Sequence, residues 1–175
     1  MRHVARTAIA CIAFALIAAC AQLPAAVPGA DDNPGEANAV LATMDRYMTA
    51  ISTKDYATLR ALDMPNSMTW SARRGAGGAL VVGARPTAYW SDPANDKGRT
   101  LQERYWKPTV LMRGPIAVVW APYEFKIDGK TSHCGVDMFD FVKVDGAWRV
   151  ANAMWTVEPE ACDKLRPTGG AAIRP

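Results

Sequence analysis

Two Asp-Gly pairs, Asp128-Gly129 and Asp145-Gly146, punctuate the second half of the chain. They separate three strand-like runs: Ile116 to Ile127, Thr131 to Val144 and Ala147 to Val157. Asp-Gly between apolar runs is the strongest short-range hairpin signal, because both loop residues of the tight turn must take positive φ. Three adjacent antiparallel strands are therefore expected, and counting back from each turn gives their register.

A two-residue loop at Asp128-Gly129 sets Ile127 opposite Lys130, so Glu124 is expected to face His133, and Tyr123 to face Cys134. The loop at Asp145-Gly146 sets Val144 opposite Ala147, so Phe139 should face Asn152, and Asp137 should face Met154. Side chains alternate between faces. One face then collects His133, Asp137, Phe139, Phe141, Trp148, Val150, Asn152 and Met154. Its large apolar residues mark it as the concave, core-bearing face, polar at one end. The other face collects Cys134, Val136, Met138, Asp140, Val142, Arg149, Ala151, Ala153 and Trp155. A one-residue bulge would flip part of this assignment, and Pro122 is the expected place for one.

Upstream, Asn33-Pro34-Gly35-Glu36 reads as a helix start, and Val40, Leu41, Met44, Tyr47, Met48 and Ile51 recur at helical spacing. Ser52 to Asp55 breaks the run before a short second helix carrying Tyr56, Leu59 and Leu62, ended by Pro65. Ser67 to Ala72 and Ala79 to Val82 read as strands about a Gly-rich turn, Pro86 as the start of a short helix, and Asp92 to Gly98 as loop. Helices first and a long meander after is an α+β pattern, with the helices covering one face of a curved antiparallel sheet.

The first residues look like an export signal. Arg2, His3 and Arg6 precede an apolar stretch, Ala8 to Ala19, that is too short to span a membrane. Ile17-Ala18-Ala19-Cys20 resembles a bacterial lipobox, in which Cys20 would be lipidated; Ala19-Cys20-Ala21 also fits ordinary signal-peptidase cleavage. The lipobox is preferred because Cys20 directly follows the apolar run. The expected organisation is a signal peptide over 1–20, a flexible Ala/Pro-rich tether over 21–35, one domain over 36–162 and a disordered tail over 163–175. The expected location is the periplasm, with membrane attachment only through the lipid on Cys20.

An exported domain lies where disulfides form, and Cys134 and Cys162 remain as one pair, for which a disulfide is preferred to two buried thiols. Those two cysteines with His133 do not make up a zinc set, and no metal is expected. Net charge is +3 and falls to +1 without Arg2 and Arg6, which gives no basic excess for nucleic acid. No phosphate loop, nucleotide fingerprint or Ser-His-Asp order is present.

The runs Glu103-Arg104-Tyr105-Trp106, Val119 to Phe125, Ser132-His133-Cys134-Gly135-Val136-Asp137, Gly146 to Val150 and Glu158 to Cys162 resemble a bacterial branch of the NTF2-like (SnoaL-like) superfamily, labelled nuclear transport factor 2 family or lumazine-binding proteins. The resemblance spans roughly residues 36–162. It implies a cone of helices wrapped over a strongly bent antiparallel sheet, with a pocket inside and homodimers common. The superfamily includes ketosteroid isomerase, polyketide cyclases and dehydratases, so the fold does not set the function. No catalytic motif and no cofactor come with the resemblance.

The expected pocket is lined by Tyr47, Trp70, Tyr89, Trp90, Trp120, Glu124, His133, Asp137 and Asn152. Tyr105 and Trp106 would also suit stacking on a planar ligand. His133, the one histidine after the leader, is a candidate general base, weighed against a structural histidine that fixes strand pairing. Asp137, raised in pKa by burial, is a second candidate base, weighed against a water-bridged polar end of a core. Three functions follow: binding of a small, partly apolar molecule; cofactor-free isomerase, cyclase or dehydratase chemistry on His133 or Asp137; or a homodimer or partner contact through the sheet's outer face.

Overall fold

The computed structural model describes residues 27–175. The expected signal peptide, Cys20 and the first part of the expected tether lie outside the described residues. Helix α1 (Pro34–Thr53) starts where the sequence places it: the Asn33 side chain accepts the Glu36 N–H at 3.2 Å, with Pro34 in the first turn. It ends at Lys54 in the left-handed conformation, φ 56°. Asp55 then caps α2 (Tyr56–Leu62) by accepting the Thr58 N–H at 3.0 Å. Strand β1 (Asp63–Arg74) follows without a loop. Pro65 lies inside it, at a register irregularity between Asp63 and Met68, so it does not close the helix from outside.

The remaining strands are β2 (Leu80–Pro86), β3 (Leu101–Trp106), β4 (Thr109–Arg113), β5 (Ile116–Ile127), β6 (Lys130–Val144), β7 (Ala147–Val157) and β8 (Ile173–Arg174). Among the described residues they form one open sheet in the order β2-β1-β7-β6-β5-β3-β8, with β4 also on β5. The sheet is mixed where an antiparallel one was expected, because β1 runs parallel to β7 after crossing from α2. The fold class is α+β, as expected.

Both Asp-Gly turns are present. Asp128 and Gly129 have φ 50° and 75°, Asp145 and Gly146 φ 50° and 78°, and Ile127 pairs Lys130 as Val144 pairs Ala147. Beyond the turns the counted register is off by one. On β6, Ser132 is an extra residue, so Phe125 faces His133 and Glu124 faces Cys134. On β7, Ala151 is an extra residue, so Asp140 faces Asn152 and Asp137 faces Trp155. Pro122 is not a bulge; pairing runs unbroken from Ile116 to Phe125. The apolar phase of the sequence switches there because Trp120 is an outward-facing apolar residue, 54 % exposed.

The core lies between α1 and the concave face. Val40, Met44, Tyr47 and Met48 pack against Ala117, Val119 and Ala121 of β5, Phe139 and Phe141 of β6, and Val150 of β7. At one end, Glu36 joins helix to sheet, accepting from Lys143 Nζ at 2.7 Å and from Trp148 Nε1 at 3.0 Å. At the outer face, Trp120, Met138, Met154 and Trp70 stand in register across β5, β6, β7 and β1.

The segments expected to be loose at either end are docked. Asp31 accepts from the Gly114 N–H at 2.6 Å and from Arg113, and donates its own N–H to Met112 at 2.7 Å. After Val157 the chain turns over the outer face into α3 (Cys162–Leu165), where Cys162 forms the disulfide with Cys134, Cα atoms 5.1 Å apart. Trp106 Nε1 donates to Leu165 O at 2.7 Å. β8 then pairs β3, and Arg174 forms an ion pair with Asp45 at 2.6 Å. The 163–175 segment is thus a strap across the sheet edge and not a disordered tail.

Gly135 is required by a close approach. A Cβ there would lie 2.0 Å from Thr156 O and 2.7 Å from Tyr123 Cε1, because the Tyr123 ring crosses β6 at this residue to donate its O–H to Thr156 O at 2.7 Å. Gly135→Ala is expected to destabilise the domain by more than about 3 kcal/mol, since backbone and a buried ring cannot both yield. A urea midpoint within error of the unsubstituted protein's would contradict this.

Candidate functional site

A cavity of about 520 Å³ opens between α1, the concave face and the 87–99 loop. Its walls are mostly apolar and aromatic: Ile51, Leu59, Leu101, Phe125, Phe139, Ala153, Trp155, Tyr89 and Trp90. Trp90 is fixed by donating its indole N–H to Thr69 Oγ1 at 2.9 Å and by an edge contact with Trp155 at 6.1 Å. At the mouth, Lys54 and Tyr56 both bond Asp96 at 2.9 Å, and Arg99 pairs with Asp128. These contacts hold the loop across the opening.

Two carboxyls meet in the cavity wall. Glu103 comes from β3 and Asp137 from β6, with Tyr123 of β5 between their strands. Their side chains are within hydrogen-bonding reach of each other across β5. Asp137 is 1 % exposed, and no protein donor reaches its Oδ2. A buried carboxylate pair with no cation beside it cannot ionise twice at neutral pH. Burial, with the neighbouring Glu103 charge and hydrogen bond adding to it, pushes Asp137 well above the usual carboxylate range. Burial raises Glu103 to about 7, partly offset by its hydrogen bond with Asp137. The pair therefore holds one shared proton and titrates as a unit.

His133 lines the same cavity. Its ring lies against Phe125 at 5.3 Å and meets Tyr123 edge-on at 5.7 Å, and burial lowers its pKa, which keeps it neutral. Its Nδ1 contacts Ser132 Oγ at 3.1 Å. His133 and Asp137 are four residues apart with no bulge between them, about 13 Å by strand rise, so they line one cavity without forming a dyad.

Of the residues expected in the pocket, Tyr47, Tyr89, Trp90, His133 and Asp137 line the cavity. Four do not. Trp70 and Trp120 stand on the outer face, 41 % and 54 % exposed. Asn152 is turned outward by the Ala151 bulge, and its Oδ1 accepts the Met68 N–H at 3.2 Å. Glu124 faces away from the cavity beneath the C-terminal strap, bonded to Arg104 Nε at 2.6 Å, Arg166 at 2.7 Å and Thr131 at 2.6 Å. Burial would raise its pKa, but the hydrogen bonds from Thr131, Arg166 and Arg104 outweigh that and hold it at about 2. It is a structural anchor. Tyr105 and Trp106 are also spent on structure, Tyr105 donating to Asp45 at 2.7 Å and Trp106 to Leu165.

Glu103, Phe125 and Trp155 were not read from the sequence as cavity residues. Glu103 was findable as an acidic residue on the inward phase of the Leu101, Glu103, Tyr105 alternation. Phe125 was findable from the Ala117, Val119, Ala121, Tyr123, Phe125 alternation on β5. Among the described residues, no group of three or more His, Cys, Asp or Glu is placed to hold a metal ion.

The architecture matches solved structures of NTF2-like proteins. A cystatin-like-fold protein of unknown function from Nostoc punctiforme has a TM-score of 0.56 at 10 % identity, covering 73 % of this chain and 95 % of that one. An NTF2-like protein of unknown function from Shewanella baltica has 0.53 at 16 %, covering 74 % and 99 %. An NTF2-like protein with a cystatin-like fold from Novosphingobium aromaticivorans has 0.54 at 12 %, covering 75 % and 89 %. No protein-family model matches the chain, and no curated protein matches it in sequence. The chain has the NTF2-like cone fold, the class that its sequence runs resemble.

The carboxyl pair makes stability fall as pH rises. In the unfolded chain Glu103 and Asp137 ionise near 4, while in the folded protein they keep a proton to about 7 or above. The unfolded state then binds fewer protons than the folded one, so stability decreases as pH rises from about 4, through the ionisation of Glu103 near 7 and on above it while Asp137 keeps its proton. Asp63, raised to about 6 by burial, acts in the same direction. The urea midpoint is expected to be higher at about pH 5 than at about pH 8. Glu103→Gln or Asp137→Asn should remove much of that difference. An unchanged difference in both variants would contradict the shared proton.

Proposed function

We propose that this domain binds a small, mostly apolar molecule in its cone. The observation that carries this reading is the cavity, large enough for a two- or three-ring compound, mostly apolar in its walls, with a carboxyl pair inside and charged groups at its mouth. Trp90 and Trp155 line it, so a bound aromatic compound should quench tryptophan fluorescence. With 1-naphthylmethanol as probe, saturable quenching is expected. Ala153→Phe, which fills the cavity from β7, should weaken binding by about tenfold or more, whereas Trp120→Ser on the outer face should leave it unchanged. Equal binding by both variants would sink the cavity as the site.

The carboxyl pair favours a second reading, in which the domain is a cofactor-free proton-transfer enzyme with Asp137 as the group that takes or gives the proton. His133 supports this less well, since burial makes it a weaker base and it has no carboxylate partner. The disulfide supports an exported protein in an oxidising compartment.

The outer face supports association of two copies. Trp120, Met154 and Trp70 are each more than 40 % exposed, and with Met138 they form a continuous apolar row. Such a row is costly in water and is covered when two such sheets pack together. Light scattering should report a dimer at micromolar concentration, converted to monomer by Trp120→Glu. A monomer at all concentrations would remove this reading and leave the cavity untouched.

A further inference from the structure

The carboxyl pair also constrains the chemistry of the ligand, provided the cavity is the binding site. Asp137 Oδ2 is buried, lines the cavity and lacks a protein donor. An acceptor left unpaired in an apolar site costs stability unless something brought in from outside donates to it. The pair carries one negative charge when it holds one proton, and no protein cation touches it. The surrounding surface is aromatic, lined by Phe125, Phe139, Tyr123 and Trp155, and aromatic rings also attract a cation.

The other groups nearby do not supply the missing positive charge. Tyr47 from α1 and Tyr123 from β5 are held in the neutral form by burial, and His133 along β6 is neutral too. Asp63 from β1 is acidic. At the mouth, Lys54 is paired with Asp96 and Arg99 with Asp128, while Lys97 lies beside Asp92 and Asp96 in the same loop. The three cations of the lining are thus at the rim, two of them in ion pairs, and the cavity's interior charge is negative.

We propose that the ligand is an organic amine. Its protonated nitrogen donates to Asp137 Oδ2 and Glu103, and its ring or aliphatic body lies against Phe125, Phe139 and Trp155. An ammonium and a singly protonated carboxyl pair sum to zero charge, so the complex needs no proton transfer and leaves no buried net charge. Affinity should rise with pH up to about pH 8, as the pair passes from the neutral diacid to the monoanion while the amine stays protonated.

Calorimetric titration with three probes of one shape tests this: 1-naphthylmethylamine, 1-naphthylmethanol and 1-naphthoate. At about pH 8 the amine is expected to bind at least about tenfold more tightly than the alcohol, and the carboxylate least. The amine's advantage should shrink by about pH 5.5. The double variant Glu103→Gln/Asp137→Asn, which removes the charge altogether, should bring the amine to the alcohol's affinity while the alcohol still binds, which shows that the variant is folded. Where the variant loses the alcohol as well, the pH dependence in the unsubstituted protein decides. Equal affinity for amine and alcohol, or preference for the carboxylate, overturns the amine proposal and keeps the cavity reading. No binding by any of the three overturns both.

Discussion

The cone depends on one close approach. At Gly135 the β6 backbone has no side chain, so the Tyr123 ring crosses it and bonds the carbonyl of Thr156 on β7. Three strands are thereby tied at one point. On the concave side Glu103 and Asp137 meet across β5, the strand that carries the same tyrosine. On the outer side the next residue, Cys134, is locked to Cys162 and fixes the start of the C-terminal strap. A side chain at 135 would separate the tyrosine from its acceptor.

Acidic residues on this sheet meet two opposite fates. Glu124 is as buried as Asp137, yet it is ionised, because Arg104, Arg166 and Thr131 surround it. It works as an anchor for the strap. Asp137 and Glu103 have only each other and aromatic rings, so they keep a proton. Burial alone does not separate a structural carboxylate from a reactive one; the donors within reach do. By that criterion the polar chemistry of this domain is at Glu103 and Asp137 and not at the histidine.

Much of the fold was legible in the sequence. The Asp-Gly turns, the Asn33 cap, the inward face of α1 and the disulfide were readable because each rests on residues close in sequence or on a pairing that few cysteines allow. The bulges were not. Ser132 and Ala151 are ordinary strand residues, and nothing in their chemistry marks one as extra. Each shifts the count by one, which sent Glu124 and Asn152 to the wrong face and hid Phe125 and Trp155. Trp70 and Trp120 were misplaced for a different reason. An aromatic on a strand reads the same whether it lines a cavity or stands on an outer face awaiting a partner. Glu103 was missed because its partner lies two strands away, a relation that only the curvature of the sheet creates.

The shared proton is the claim on which the site's chemistry rests. Carboxyl ¹³C NMR of protein labelled at Asp and Glu, with Asp137→Asn and Glu103→Gln to assign the two resonances, reads it directly. The account predicts that the pair takes up its second proton near pH 7, and that one carboxyl stays protonated well above that pH. Two carboxyls that both ionise below about pH 5 would contradict it.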